Sequence, residues 1–403
     1  MLMEAQLDKI RQLIGTQNEA NIELALQLAK GLEFPMELKD EFIPKYLLKC
    51  LEVEAIPWLN SLKKLAFGRD DQLKTLPDTI GRLAYLETLE CSKTNFTELP
   101  STINGLKNLK VLDFNRAALM SLPPEIGQLN HLQQIRLINT PIQAIPKEIG
   151  QLQNLQSLII KAYQMYLEIT MLPPEIGQLA SLEELDLSGT LLQSLPSEIG
   201  QLKQLKILNL GRTKIKTLPP EIGQLNSLES LLLGGSALEV LPTTIGTLTN
   251  LRELYLNFTQ IKTLPSEIGQ LTRLEHLSLY NAHAQTLAPQ LGQLSQLKSL
   301  YLLNNPLDEL PPEIAQLTQL EKLNVAGTNL KYLPPEIGQL KKLESLSLKN
   351  TAIAELPPTI ADLTRLKELD ISNTAIRKLP KKIGHLIKLE DSGVYHSIVK
   401  ENS

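Results

Sequence analysis

The feature that most constrains this 403-residue chain is a fixed period: Leu-Pro, or a near equivalent, returns every 23 residues over most of its length. Anchored on its aliphatic residue, the mark falls at Leu76, Leu99, Leu122, Ile145, Leu172, Leu195, Leu218, Leu241, Leu264, Leu287, Leu310, Leu333, Leu356 and Leu379. Twelve of the thirteen gaps are 23, and the exception is a gap of 27 across "IIKAYQMYLEITMLP" at 159–173. A period this strict is read before any secondary structure, and it points to a stack of like layers rather than one ordinary compact core. Apolar residues at 42% with aromatics at only 4% suit a core of repeated Leu and Ile layers.

Two shorter periodicities alternate inside each unit, as in "LPPEIGQLNSLESLLLGGSALEV" from Leu218 to Val240. A Leu-x-Leu pair, such as Leu185 and Leu187, has period two and marks a short strand with one buried face. "PPEIGQL" sets Pro at the start of a short helix or 3-10 turn, with Ile and Leu three apart pointing inward. No single unit can bury its seven apolar positions alone. Stacked neighbours can, with their strands aligned as a parallel sheet at about 4.8 Å per layer.

These residues, in the spacing L-x-x-L-x-L-x-x-T-x-I-x-x-L-P, resemble the leucine-rich repeat family, and the "LPxEIGQL" half resembles its intracellular Ras-group-related and bacterial members. The resemblance implies an α/β fold. In it a right-handed superhelical solenoid carries a parallel β-sheet on its concave face and short helical or 3-10 segments on its convex face. It also implies a scaffold that binds other proteins. The chain departs from the family in the turn after the strand, where Thr94, Thr140, Thr190, Thr213, Thr259, Thr328, Thr351 and Thr374 replace the usual Asn, which stands only at Asn305. A Thr hydroxyl can satisfy a turn backbone group, though with shorter reach.

A stack exposes its core at both ends and needs caps. Residues 1–50 are expected to form an N-terminal helical cap: Leu7, Ile10 and Ile14 make one stripe, Gly15 breaks it, and Thr16 with Glu19 makes a capping box before a second helix that ends at Gly31. A third segment spans roughly Met36 to Lys49 and leads into a degenerate unit around Trp58, which reads as cap packing. The solenoid is expected over 51–391, followed by a C-terminal tail at 392–403.

Composition and residue placement exclude several functions. A net charge of -4 gives no broad cationic field, so neither nucleic acid nor a membrane surface is expected as partner. No stretch reaches the roughly 18 apolar residues of a membrane span. Cys50 and Cys91 do not pair as extracellular caps would, and Glu4 and Asp8 interrupt any signal-like run. A cytoplasmic setting is favoured, or secretion if a leader had been removed. The five histidines fall in different layers, so no metal site and no cofactor are expected. Cys91 reads as buried packing, the recurrent Glu of "PPEIG" as a solvated stripe at the first turn, and no phosphate-binding glycine motif follows a strand. No catalytic residues are expected, and the chain reads as no enzyme.

Because core positions recur, functional information must reside where layers differ. The outward mid-strand position varies freely, from Glu90 and Asp113 at one end through Leu232, Tyr255, Ser278 and Tyr301 to Asp370. Leu232, Tyr255, Phe258, His276, Tyr280, Tyr301 and Leu303 are expected to project from the concave sheet in four adjacent layers, as aromatic anchors for a protein or peptide. Gly211, Gly234 and Gly235 are expected to leave a hollow beside them. The four extra residues of the long gap, Tyr163, Gln164, Met165 and Tyr166, are expected to bulge from the edge of this face as a second contact element. The competing view is that the rings merely cover the sheet and the insertion is drift. The favoured function is a non-catalytic scaffold binding a protein or peptide, with a monomer expected. The alternative is a secreted bacterial effector or surface adhesin recognising a host protein or glycan.

Overall fold

The structure, a computed structural model, describes residues 2–68, 76–163 and 167–380. The expected tail at 392–403 and the last residues of the expected solenoid lie outside the described residues. The chain divides into two compact units, Met1–Ile160 and Lys161–Ser403.

The first unit opens with four helices, α1 (Leu2–Gly15), α2 (Glu19–Gly31), α3 (Lys39–Glu52) and α4 (Ile56–Leu59). Trp58 of α4 is fully buried and stacks on Phe42 of α3 with ring centroids 5.1 Å apart. Its indole Nε1 donates to the carbonyl of Pro35 at 2.8 Å, so the one polar atom of the ring is satisfied inside the cap. The capping box does not form. Asn18 is the N-cap of α2, and its side-chain oxygen accepts the N–H of Asn21 at 3.3 Å. Thr16 instead donates to the carbonyl of Leu13 at 2.7 Å and closes α1. Two short polar residues compete for the cap, and the one next to the helix, already extended at φ -86°, holds it.

After the helices come β1 (Lys64–Phe67), β2 (Thr88–Ser92), β3 (Val111–Asn115), β4 (Gln134–Ile138) and β5 (Ser157–Lys161), whose last residue begins the second unit. β1 to β4 pair in parallel, and the register from β2 to β4 advances by the repeat, Leu89 opposite Leu112 and Leu112 opposite Ile135. The step from β1 to β2 is one residue longer, Leu65 opposite Leu89, where the degenerate unit meets the regular ones.

The second unit holds β6 (Glu184–Asp186), β7 (Ile207–Asn209), β8 (Ser230–Leu232), β9 (Glu253–Tyr255), β10 (His276–Ser278), β11 (Ser299–Tyr301), β12 (Lys322–Asn324), β13 (Ser345–Ser347) and β14 (Glu368–Asp370). All nine are parallel in sequence order, with Leu231, Leu254, Leu277 and Leu300 in one row. "PPEIGQ" forms a five-residue 3-10 turn in each unit, as at Pro220–Gln224, with Ile222 and Leu225 buried as their spacing of three requires. These turns pack closely. A Cβ on Gly177 would come within 2.3 Å of the carbonyl oxygen of Glu198 in the next layer.

Two columns beside the strands fix the turns. The threonines are buried and bond backward: Thr213 Oγ1 donates to Leu210 O at 2.7 Å, and Thr190, Thr259, Thr328 and Thr351 repeat that contact with the carbonyl three residues before each. One residue earlier the backbone turns left-handed along the second unit, at Gly189, Arg212, Gly235, Phe258, Asn281, Asn304, Gly327, Asn350 and Asn373, and in the first unit at Lys93, Arg116 and Asn139. Gly and Asn tolerate that region, whereas Arg212 at φ 56° and Phe258 at φ 57° do so at a cost of about 1–3 kcal/mol.

Candidate functional site

Strand alternation decides which side chains reach the exposed sheet face. With Leu254, Leu277 and Leu300 inward, the residues on either side of them face outward. His276 is the first residue of β10, in register with Glu253 and Ser299, and Ser278 lies between Tyr255 and Tyr301. The two tyrosines are therefore one strand apart on either side of Ser278, which is itself buried. Burial, then the charge of Glu253, then Tyr301, push the Tyr255 phenol above its ordinary value. Tyr280 and Leu303 follow the strands, and Phe258 projects from the left-handed turn position. Its ring meets that of Tyr280 edge to face, centroids 4.8 Å apart.

The cluster is less exposed than the sequence suggests. Phe258 is 53% exposed, whereas Leu232, Tyr255, His276, Tyr280, Tyr301 and Leu303 are half-buried, because residues on neighbouring strands of a parallel sheet shield one another. Of the three expected hollow-forming glycines, Gly211 is buried, and a Cβ there would already crowd Gly234 O at 3.0 Å and Asn209 Oδ1 at 3.2 Å. Gly234 and Gly235 remain accessible.

Tyr163 is 59% exposed and stands apart from the cluster. The Lys161 ammonium lies 5.6 Å from its ring centroid and 3.1 Å from Asp186 Oδ2. Arg212 Nη1 donates to the carbonyls of both Ala162 and Tyr163, which ties the start of the insertion to a layer two repeats on. Met165 and Tyr166 lie outside the described residues, as does Gln164. The insertion leaves the register intact: Leu167 resumes beside Thr190 and is buried where the other layers place threonine.

Sequence reasoning missed the charge ladder that borders this face. Glu183, Lys206, Glu229, Arg252, Glu275 and Lys298 occupy one column with alternating sign. Lys206 reaches Glu183 at 2.8 Å, while Arg252 and Lys298 both reach Glu275 at 2.5 Å. Reading the sequence at intervals of 23 would have found it. In the first unit Glu87 is held likewise by Lys63 and Lys110. Among the described residues no group of three His, Cys, Asp or Glu side chains could hold a metal, and no helix is long and apolar enough to cross a membrane. Burial pushes the Cys50 thiol up to about 12 and that of Cys91 well above its ordinary value, which leaves neither thiol ionised near neutrality.

The pattern described as "Leucine-rich repeat region" matches residues 45–165, 106–188 and 197–303, and a two-copy repeat pattern matches 341–386. A leucine-rich repeat protein of Leptospira interrogans is 34% identical, with a TM-score of 0.69 over 89% of this chain and 97% of that one. The ectodomain of an Arabidopsis thaliana membrane receptor kinase, in complex with Casparian strip integrity factor 2, is 25% identical with a TM-score of 0.60. That match covers 83% of this chain and 44% of the receptor ectodomain. The Drosophila Toll–Spätzle complex, at 21% identity, 79% of this chain, 45% of that one and a TM-score of 0.71, shares the fold alone. No curated protein matches the chain in sequence.

Proposed function

This chain belongs to the leucine-rich repeat family, and on that premise we propose that it is a non-catalytic scaffold holding a protein or peptide on the exposed sheet face formed by β6 to β14. The fold is typical of protein–protein interaction, and solved relatives of this fold include receptors bound to their ligands. The observation that carries the reading here is the cluster of Leu232, Tyr255, Phe258, His276, Tyr280, Tyr301 and Leu303 in four consecutive layers. Tyrosine rings on a rigid sheet offer apolar area with a polar edge and lose little conformational freedom on binding. A bulky aromatic kept at a left-handed backbone position, as Phe258 is, supports selection for contact over local stability.

Tyr163, with Met165 and Tyr166, serves as a second contact element in this reading, its base fixed by Arg212. Residues 1–50 act as the cap, 51–391 as the solenoid and 392–403 as a tail. The protein works as a cytoplasmic monomer. The test is affinity capture from native lysate with the parent chain and with a variant carrying Tyr255→Ala, Tyr280→Ala and Tyr301→Ala. A protein retained by the parent and lost by the folded variant is expected; equal retention by both counts against the reading.

A further inference from the structure

In the left-handed column of the second unit, Arg212 at φ 56° stands between Gly189 in the layer before it and Gly235 in the layer after. Both glycines hold the same backbone, at φ 77° and 74°. A Cβ on Gly189 would lie 2.3 Å from the carbonyl oxygen of Ala162, so that carbonyl rests where a side chain would otherwise stand. A Cβ on Gly235 would come within 3.1 Å of Arg212 Cγ and crowd the stem of the arginine from the other side. The two glycines leave Arg212 an open lane along the column.

Through that lane the guanidinium crosses a whole layer. Arg212 follows β7, yet its Nη1 donates to the carbonyl of Ala162 at 3.4 Å and to that of Tyr163, both just past the end of β5. Asn373, further along the same column, reaches one layer, donating its Nδ2 to Asn350 Oδ1 at 2.9 Å. Backbone bonds tie both ends of the insertion to the β6 layer, Ala162 N–H to Ser188 O at 3.1 Å and Leu167 N–H to Gly189 O at 2.9 Å. Arg212 adds a charged donor from beyond that layer, and charge strengthens such a bond. Glycine would hold the left-handed backbone at no steric cost. The arginine is therefore accounted for by where it reaches, not by the turn it sits in.

Resting on the reading that Tyr163 touches the partner, we propose that Arg212 is the positioning residue for that contact: through the lane over Gly189 it grips the carbonyls of Ala162 and Tyr163 and sets the Tyr163 ring in place before a partner arrives. A contact element ordered in advance loses less freedom on binding. The grip is on the backbone, so it does not depend on which side chain stands at 163.

The probe is a nitroxide spin label on Tyr163→Cys in the full chain; Cys50 and Cys91 are buried and take no label. Adding Arg212→Gly is expected to narrow the label's spectrum as its mobility rises, while the thermal midpoint does not fall, because glycine suits the turn. Amide exchange at Ala162 and Leu167 should quicken about tenfold or more, the range for a hydrogen bond from a charged donor. Arg116→Gly makes the same exchange of residues at the same left-handed position of the first unit, φ 55°, and should move neither reading. An unchanged spectrum, or unchanged exchange at Ala162, in Arg212→Gly overturns the proposal. So does a label released only along with a lower midpoint and faster exchange throughout β6 to β8, which describes a layer that has lost its packing. If the label is released but Tyr163→Ala leaves affinity capture from native lysate undiminished, the grip stands and the contact role of Tyr163 falls.

Discussion

Among the described residues, Asn305 is the one side chain in the buried threonine column of the second unit that bonds into the preceding layer. Its Nδ2 donates to Leu302 O at 2.9 Å, as threonine would, and also to Leu279 O at 2.7 Å. Its Oδ1 accepts the N–H groups of Ala282 at 3.1 Å and Ala284 at 2.9 Å. The preceding layer needs this help because Ala282 has replaced its own hydroxyl and His283 holds a left-handed backbone at φ 61°. Asn305→Thr keeps the local bond and forfeits the rest. Ala282 N–H retains Leu279 O at 3.1 Å, but Ala284 N–H becomes a buried donor without acceptor, costing about 1–3 kcal/mol, and the bond to Leu279 O removes about 1 kcal/mol more. A loss of about 2–4 kcal/mol is therefore expected, against about 1 kcal/mol for Thr351→Val, which deletes one local bond. Denaturant unfolding reads the difference. Because repeat arrays can unfold in parts, amide hydrogen exchange over 279–305 should accompany it and should show faster exchange at Ala284. If Asn305→Thr unfolds like Thr351→Val and exchange at Ala284 is unchanged, the interlayer bonds contribute nothing.

Glu275 gives a dependence on pH. The bonds from Lys298 and then Arg252 hold its carboxyl below the ordinary 4.5 despite opposing burial. A carboxylate depressed in the folded state stabilises the fold above its unfolded value and loses that contribution as pH falls through the folded one. The melting temperature of Glu275→Gln should therefore lie below the parent's at neutral pH, and the gap should close below about pH 4.5; a gap constant with pH removes the ladder's role. High salt should narrow the same gap, since the flanking cations are partly exposed. For the cysteines, a thiol reagent at pH 8 should label neither Cys50 nor Cys91 in the folded chain and both after unfolding, read by mass spectrometry; labelling of the folded chain would contradict their burial.

Much of this architecture is written at a period of 23. Leu254, Leu277 and Leu300 align because each layer needs the same inward side chain, and Ile222 with Leu225 had to share a face. The tyrosines of the exposed sheet face were legible for the complementary reason, as departures from a recurring frame. What could not be read depended on neighbours. Asn18 displaced Thr16 as cap because one residue of backbone geometry separates them. Tyr255 and Tyr301 are half-buried because residues on neighbouring strands shield them, which a single sequence position does not reveal. The left-handed column was hidden at variable positions, where Lys93, Arg116, Arg212 and Phe258 mask the Gly and Asn preference of the other layers.

The central claim, that a partner lies on the sheet face formed by β6 to β14, is tested most directly by amide hydrogen exchange of the full chain with and without a captured protein. Slowed exchange concentrated in 230–258 and 276–305 is the expected result. Protection confined to the 3-10 turns such as Pro220–Gln224, or to the helices before Lys64, would contradict it.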